Sequence, residues 1–187
     1  MSNRATSTSG RAEERTPLRI LFLCTGNSAR SQIAEAILNV RGQGRFHAES
    51  AGSDPAPRVN PFALDALREF GLEWGGRNPR RVEEVCDEAW DFIITVCDRA
   101  RESCGTFPGR PVTAHWGIPD PAAVEGDDRH RRGAFRESVI LLARRVDLFL
   151  SLPIETLERR AWEERVRAIG ASEATRQDQP SFSEDTR

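Results

Sequence analysis

A cysteine and an arginine at the two ends of residues 24–30 are the side chains best suited to chemistry in this sequence. A helix N-terminus and a nearby guanidinium group both lower a thiol pKa, so a thiolate at Cys24 would be stabilised beside them. Arg30 presents a planar fork that matches two oxygens of a tetrahedral oxyanion, and Ser31 can donate its hydroxyl to the thiolate. The spacing predicts nucleophilic attack by the Cys24 sulfur on a bound phosphate-like group.

The elements on either side of this segment would position it. Residues 20–23 are apolar and suit a buried parallel strand, and from Ser31 onward apolar residues recur at helical spacing. A strand, a tight loop and a helix start in succession direct backbone N–H groups at one point, where the helix dipole favours negative charge. No Gly-Lys-Ser/Thr follows, which argues against a nucleotide-binding P-loop. The residues expected to bind the oxyanion are Thr25, Gly26, Asn27, Ser28, Ala29, Arg30 and Ser31.

Residues 24–32, Cys-Thr-Gly-Asn-Ser-Ala-Arg-Ser-Gln, resemble a signature loop found in two related groups of enzymes. These are the low-molecular-weight protein tyrosine phosphatases and the arsenate reductases that share their fold. The run is more similar to that of the reductases, many of which carry a further cysteine where this chain has Ala29. The resemblance extends over about residues 18–150. It implies that Asn27 holds the loop in a strained shape.

Two further cysteines bear on the choice between these chemistries. Cys97 ends an apolar run, and Cys104 lies seven residues later. Seven residues span about 10 Å in a helix and about 23 Å when extended, whereas a disulfide needs Cα atoms within about 7 Å. Joining Cys97 to Cys104 would therefore require the segment between them to loop out or unwind. Ester hydrolysis needs one sulfur, but reducing arsenate takes two electrons, which two thiols supply by forming a disulfide.

The arsenate reductases that this chain resembles use three cysteines in such a relay, with thioredoxin as the reductant. The resemblance implies that Cys97 resolves the adduct on Cys24 and that Cys104 completes the shuttle. It also implies that Asp120, which precedes a proline, is the general acid that protonates the leaving oxygen. Tyrosine phosphatases commonly have aromatic residues after this Asp-Pro pair, where this chain has Ala122 and Ala123, and the chain contains no tyrosine. These differences favour the reductase.

Some of these reductases also bind potassium near the loop. Asn27, Glu35 and Ser50 occupy positions that resemble the ligands, so a weak potassium site is expected from the resemblance. A further acidic ligand is not evident in residues 78–81, Asn-Pro-Arg-Arg. No other metal and no tightly bound cofactor is expected, because the three histidines lack metal-ligand spacing. Cys86 lies in a predicted helix, where we expect it to pack.

Predicted strands alternate with predicted helices along the chain. The fold class expected is α/β, with a single-domain four-stranded parallel sheet, helices on both faces and ligands at the carboxyl ends of the strands. Residues 1–16 read as a disordered tail, 17–153 as the phosphatase-like domain and 154–187 as a C-terminal helix and polar tail. The predicted strands are 20–23, 46–50, 90–97 and 112–116. The predicted helices are 31–41, 60–71, 78–85, 129–150 and, more weakly, 154–169.

Composition narrows the class of protein. The 187 residues include 27 basic and 29 acidic side chains, a net charge of −2 that gives no reason to expect nucleic acid or a membrane as partner. No apolar run reaches membrane-spanning length, and no signal peptide is recognisable. Four cysteines without a secretion signal suit a reducing compartment, so cytoplasm is expected.

Three alternatives remain open at this stage. The chain could be a tyrosine phosphatase in which Cys97 and Cys104 are incidental. It could be a non-enzymatic oxyanion or redox sensor that signals through the segment between those two cysteines. An arsenate reductase could also use glutaredoxin or a small thiol instead of thioredoxin. In each enzyme, phosphate should compete with arsenate, because the loop recognises charge and tetrahedral shape alone.

Overall fold

The structure is a computed structural model that describes residues 16–102 and 105–171. Cys104 lies outside these ranges. Residues 1–15 of the predicted N-terminal tail and residues 172–187 of the predicted C-terminal segment also lie outside them. The regular elements, in chain order, are β1 (Leu18–Cys24), α1 (Arg30–Arg41), β2 (Phe46–Gly52), α2 (Pro61–Glu69), a 3-10 helix (Val82–Glu84), β3 (Phe92–Thr95), α3 (Asp98–Glu102), β4 (Val112–His115), a second 3-10 helix (Pro121–Ala123), α4 (Asp128–Leu150) and α5 (Arg159–Ala171).

The four strands form one parallel sheet in the order β2-β1-β3-β4. The apolar run at residues 20–22 is fully buried in β1, as expected for a central parallel strand covered on both faces. The register pairs Cys24 with Gly52, Leu23 with Thr95, and Thr95 with His115, so the carboxyl ends of all four strands meet at one edge. The predicted fold class is confirmed.

An aromatic cluster joins the sheet to the last two helices. Phe149 of α4 packs against Phe46, Phe92 and Trp116, with ring centroids 4.9, 5.3 and 5.9 Å away. Trp162 of α5 stacks on Phe92 at 5.5 Å. None of the helices in the described ranges is long and apolar enough to cross a membrane.

Helix α5 packs directly on the edge of the sheet. Trp116 Nε1 donates a hydrogen bond to the carbonyl of Val166 at 3.0 Å. A Cβ at Gly170 would lie 1.8 Å from the carbonyl oxygen of His115, so only glycine permits this approach. These contacts join α5 to the same core as α4. The domain boundary predicted at residue 153 stays a prediction.

Two predicted elements differ from the structure. The predicted helix at 78–85 is wrong, because only Val82–Glu84 form a 3-10 turn. The residues before it are held extended, since Arg80 N–H bonds to Asn27 and Arg81 forms a bridge with Gly52. Cys86 is half-buried in the turn that follows, and its thiol donates to the carbonyl of Glu83 at 3.3 Å. Residues 98–102, predicted as loop, form the short helix α3.

Candidate active site

The polar segment predicted to bind an oxyanion connects β1 to α1. Cys24 is the last residue of β1, and α1 begins at Arg30. Ala29 provides no side-chain cap, and the first turn of α1 carries no acidic residue. The first N–H groups of the helix and the positive end of its dipole are therefore left for an external anion.

The Cys24 thiol is buried, with 3% of its surface exposed. Its Sγ lies 3.0 Å from Ser31 Oγ and accepts the backbone N–H of Asn27 at 3.2 Å. Burial raises the pKa of the thiol above its ordinary value, while the Ser31 hydrogen bonds and the charge of Arg30 oppose this increase. In this structure desolvation outweighs the groups that favour the charged form, and a stabilised thiolate at Cys24 stays a prediction.

Asn27 fixes the shape of the loop. Its φ of 45° is left-handed, a conformation that asparagine tolerates better than most residues. The fully buried carboxamide donates to Ser31 Oγ at 3.0 Å and to Ser50 Oγ at 2.8 Å, and it accepts the N–H of Arg80 at 3.0 Å. Three hydrogen bonds offset the cost of the strained backbone.

The chain that follows β2 encloses the loop from one side. A Cβ at Gly52 would lie 2.4 Å from the carbonyl oxygen of Thr25, so the close approach of the two segments requires glycine there. Backbone N–H groups of residues 54, 56 and 60 donate to the carbonyls of Thr25, Gly26 and Ser28 at 2.8–2.9 Å. These hydrogen bonds attach the loop to the segment that follows β2.

Arg30 and Asp120 meet at the mouth of the site. Arg30 Nη2 lies 2.8 Å from Asp120 Oδ2, and its Nη1 donates to the carbonyl of Ile118 at 3.4 Å. The Asp120 side chain is 43% exposed, and its other oxygen accepts the N–H of Ala122 at 3.1 Å. The Arg30 guanidinium would bind the oxyanion, and the Asp120 carboxyl lies directly beside it. Asp120 is therefore well placed to transfer a proton to a bound oxyanion.

Cys97 faces the same site from the neighbouring strand. It lies between β3 and α3, 5% exposed, where its Sγ is 3.5 Å from Thr25 Oγ1 and accepts the N–H of Ala100 at 3.4 Å. Cys97 and Cys24 both line a cavity of about 430 Å³ together with Arg30 and Asp120. The structure thus brings four of the five predicted catalytic residues together, and the fifth, Cys104, lies outside the described residues.

The three residues predicted as potassium ligands also meet, on the buried side of the loop. Ser50 Oγ bonds to both Asn27 and Glu35, at 2.8 and 2.6 Å. Arg77 Nε lies 2.8 Å from the other oxygen of Glu35, so a positive charge is already in contact with this carboxylate.

Sequence reasoning did not identify Asp98 and Arg99, which also line the cavity. Their position directly after Cys97 at the start of a helix was the available signal. His115 was considered only as a metal ligand, yet its Nε2 lies 3.1 Å from Asp98 Oδ1 and its Nδ1 lies 2.8 Å from Thr95 Oγ1. Burial lowers the pKa of His115, against the opposing charge of Asp98. These contacts attach the start of α3 to the end of the sheet.

The fold and this site define a cysteine-based oxyanion enzyme of the phosphatase type. The family model described as low molecular weight phosphotyrosine protein phosphatase matches residues 19–161, and the chain belongs to this family.

Within that family, arsenate reductases are among the relatives. The arsenate reductase of Halalkalibacterium halodurans is 33% identical over 130 residues, which cover 70% of this chain and 93% of that protein. The crystal structure of arsenate reductase from Archaeoglobus fulgidus is 33% identical with a TM-score of 0.58, covering 71% of this chain and 99% of that one. A thioredoxin-dependent arsenate reductase of Corynebacterium glutamicum is 27% identical with a TM-score of 0.51, covering 72% of this chain and 64% of that one.

Proposed function

We propose that this protein reduces arsenate to arsenite, with Cys24 as the nucleophile and a Cys24–Cys97–Cys104 relay that thioredoxin regenerates. One observation carries the proposal: a second buried thiol, Cys97, opens into the cavity that contains Cys24. Ester hydrolysis through a phospho-cysteine needs only one thiol. The arsenate reductase relatives, one of them thioredoxin-dependent, support the same conclusion.

The first step places arsenate between the loop N–H groups and the Arg30 guanidinium. The Cys24 thiolate attacks arsenic, and a sulfur–arsenic bond forms as the bond from arsenic to one hydroxyl oxygen breaks. Asp120 donates a proton to that oxygen, so it departs as water. Arsenic is still in the pentavalent state after this step.

The second step transfers the electrons. The Cys97 thiolate attacks the Cys24 sulfur, a disulfide forms, and the electron pair of the sulfur–arsenic bond stays on arsenic, which leaves as trivalent arsenite. Cys104 then attacks the Cys97 sulfur and releases the Cys24 thiolate. The resulting Cys97–Cys104 disulfide is reduced by the two thiols of thioredoxin, which restores the enzyme.

A coupled assay with thioredoxin, thioredoxin reductase and NADPH tests the proposal. Arsenate should cause NADPH consumption and arsenite release by the wild type, and phosphate should inhibit competitively. The Cys97→Ser variant should consume no NADPH. Cys86→Ser is the matched control, because Cys86 lies in a turn outside the cavity, and it should behave as the wild type. Undiminished turnover by Cys97→Ser would overturn the relay.

Phosphate ester hydrolysis is the second candidate, because the family model and the set of Cys24, Arg30 and Asp120 fit it equally well. It predicts sustained hydrolysis of aryl phosphates that survives Cys97→Ser. The residues after Asp120 weigh against it, since Ala122 lines the cavity where an aromatic side chain would grip a phenyl ring. A sensor would instead bind arsenate without releasing arsenite.

Cytoplasm is the proposed location. The relay requires Cys97 and Cys104 to be kept reduced between turnovers, and cytosolic thiol systems maintain that state.

A further inference from the structure

A buried chain of hydrogen bonds connects Cys24 to a carboxylate that takes no part in the proposed chemistry. Cys24 Sγ contacts Ser31 Oγ, and Asn27 Nδ2 donates to the hydroxyls of both Ser31 and Ser50. Ser50 in turn donates to Glu35 Oε2 at 2.6 Å. The Glu35 side chain is completely buried, so its ionised form requires a positive partner.

Arg77 provides that positive partner and is itself held in place. The backbone of Arg77 is bound in both directions by Gln32, a buried residue three positions before Glu35 on α1. Gln32 Oε1 accepts the Arg77 N–H at 3.2 Å, and Gln32 Nε2 donates to the Arg77 carbonyl at 2.9 Å. The guanidinium carbon lies 5.9 Å from the ring centroid of Trp74, whose Nε1 also donates to Gln32. One helix therefore fixes both the backbone and the charge of Arg77.

Potassium would need the oxygens of Asn27, Glu35 and Ser50 as ligands. Asn27 Oδ1 instead accepts the N–H of Arg80, and Ser50 Oγ is shared between Asn27 and Glu35. Within the described residues, Glu35 Oε1 accepts no hydrogen bond, yet Arg77 Nε lies 2.8 Å from it. A potassium ion bound to that oxygen would have to displace the guanidinium. The residues present therefore do not fit a potassium ion.

We propose that Arg77 is a positioning residue whose guanidinium takes the place of a monovalent cation, so that oxyanion binding by the loop is independent of such ions. Its charge neutralises Glu35, which keeps Ser50 and Asn27 in the arrangement that supports the loop. This inference rests on the proposed function, because it concerns the same oxyanion-binding loop.

The charges around Glu35 single out Arg77. Arg80 also faces Glu35, but its guanidinium is engaged by Glu49 and by the carbonyl of Ser50. Burial raises the pKa of Glu35 to about 7, while the Ser50 hydrogen bond and the charges of Arg77 and Arg80 lower it and that of Glu49 raises it. Arg77, whose Nε lies 2.8 Å from Glu35 Oε1, is therefore the arginine in direct contact with this carboxylate.

Calorimetric titration with inorganic phosphate at pH 8 tests this role without any turnover. The wild type, Arg77→Ala and Arg77→Lys are compared in buffers whose monovalent cation is potassium, sodium or tetramethylammonium. The wild-type Kd should agree within about twofold in all three. In tetramethylammonium, Arg77→Ala should bind phosphate about tenfold more weakly, as expected when a charged hydrogen-bonding partner is removed. Potassium should restore part of that loss, and Arg77→Lys should bind nearly as the wild type.

Two controls separate the charge from general destabilisation. Arg41→Ala removes the last residue of α1, the helix that carries Glu35. Arg41 pairs with Asp147 at 2.6 Å, and this variant should leave phosphate binding unchanged. The double variant Glu35→Gln/Arg77→Ala removes the carboxylate together with its partner, so its phosphate binding should no longer respond to potassium. This variant keeps the test valid if Arg77→Ala alone unfolds.

Two results would overturn the inference. One is wild-type phosphate binding that tightens tenfold or more when potassium replaces tetramethylammonium. The other is an Arg77→Ala variant that binds phosphate as the wild type does in every buffer. A wild type that binds no phosphate in any buffer would instead overturn the proposed function, and the inference with it.

Discussion

The two sides of the loop between β1 and α1 are built differently. On the cavity side, Cys24, Cys97 and Arg30 line an open space, and Arg30 is paired with the partly exposed Asp120. On the buried side, the Asn27 side chain makes hydrogen bonds with three residues, Ser31, Ser50 and Arg80. The cavity side can exchange its contacts for those of a substrate, whereas the Asn27 amide on the buried side already donates to Ser31 and Ser50. The comparison shows a rigid support behind a site whose bonds must change during each turnover.

The largest effect should come from the proton donor on the cavity side. Asp120→Asn should lower kcat for arsenite release by about 10²- to 10⁴-fold, because the leaving oxygen loses its general acid. Asp128→Asn, in the first turn of α4 and outside the cavity, is the control and should leave kcat unaltered. Unchanged kcat in Asp120→Asn would remove Asp120 from the mechanism.

On the buried side, the largest effect should come from Asn27→Ala. The substitution removes the hydrogen bonds of the Asn27 side chain to the hydroxyls of Ser31 and Ser50 and to the N–H of Arg80. We expect the free energy of unfolding in urea to fall by about 2–4 kcal/mol, since each of the three hydrogen bonds contributes about 0.5–1.5 kcal/mol. Alkylation of Cys24 by iodoacetamide should also slow, because Ser31 loses its orientation.

Asn39→Ala is the matched control for that variant. Asn39 also lies on α1, and its carboxamide makes two hydrogen bonds with the backbone of Ala48 at 2.9 Å. The variant should lose stability but keep the wild-type alkylation rate of Cys24. Equal alkylation rates in both variants would mean that Asn27 supports the fold without supporting the thiol.

The stability of the buried side should depend on pH. The pKa of Glu35 is raised to about 7 from 4.5, so the folded state binds its proton more tightly than the unfolded state does. Its contribution to the free energy of unfolding is therefore greatest below pH 4.5 and declines by about 3 kcal/mol as the pH rises through 7. In a Glu35→Gln variant, the free energy of unfolding measured in urea should decline less between pH 5 and 8 than in the wild type. An identical decline in both proteins would contradict the role given to Glu35.

The smallest effect should come from the hydrogen bond that connects the two sides. Ser31→Ala removes the hydroxyl that lies 3.0 Å from Cys24 Sγ. The hydrogen bond of this hydroxyl lowers the pKa of Cys24 and so opposes the increase caused by burial. The pKa of Cys24 should rise, and alkylation at neutral pH should slow several-fold. The measurement requires Cys86→Ser, Cys97→Ser and Cys104→Ser in the background, so that one thiol reacts. Faster alkylation would mean that Ser31 shields Cys24 instead of stabilising its thiolate.

The cavity side was largely predictable from the sequence. On the buried side, the resemblance grouped Asn27, Glu35 and Ser50 but did not indicate the arginine that pairs with Glu35. The loop from Cys24 to Arg30 is local, so its residue types and the strand and helix beside it indicate its chemistry directly. Asp120 and Cys97 were placed there by resemblance to a family, and the register of the parallel strands explains why they meet at one edge. Each of these side chains belongs to a short motif.

The role of Arg77 could not be predicted because it depends on contacts between distant parts of the chain. Its side chain reaches Glu35 only because Gln32 binds the backbone of residue 77. The segment that follows Arg77, residues 78–85, is predicted as a helix, because its sequence does not reveal that Asn27 and Gly52 hold Arg80 and Arg81 extended. Tertiary contacts override local propensity here.

Trapping the intermediate of the relay tests the central proposal most directly. Cys104→Ser should release one arsenite per enzyme molecule when arsenate is added, and then stop even with thioredoxin, thioredoxin reductase and NADPH present. Peptide mapping of the stopped enzyme should show Cys24 joined to Cys97 by a disulfide. Continued turnover of this variant, or a stopped enzyme in which Cys24 and Cys97 are both free thiols, would contradict the relay.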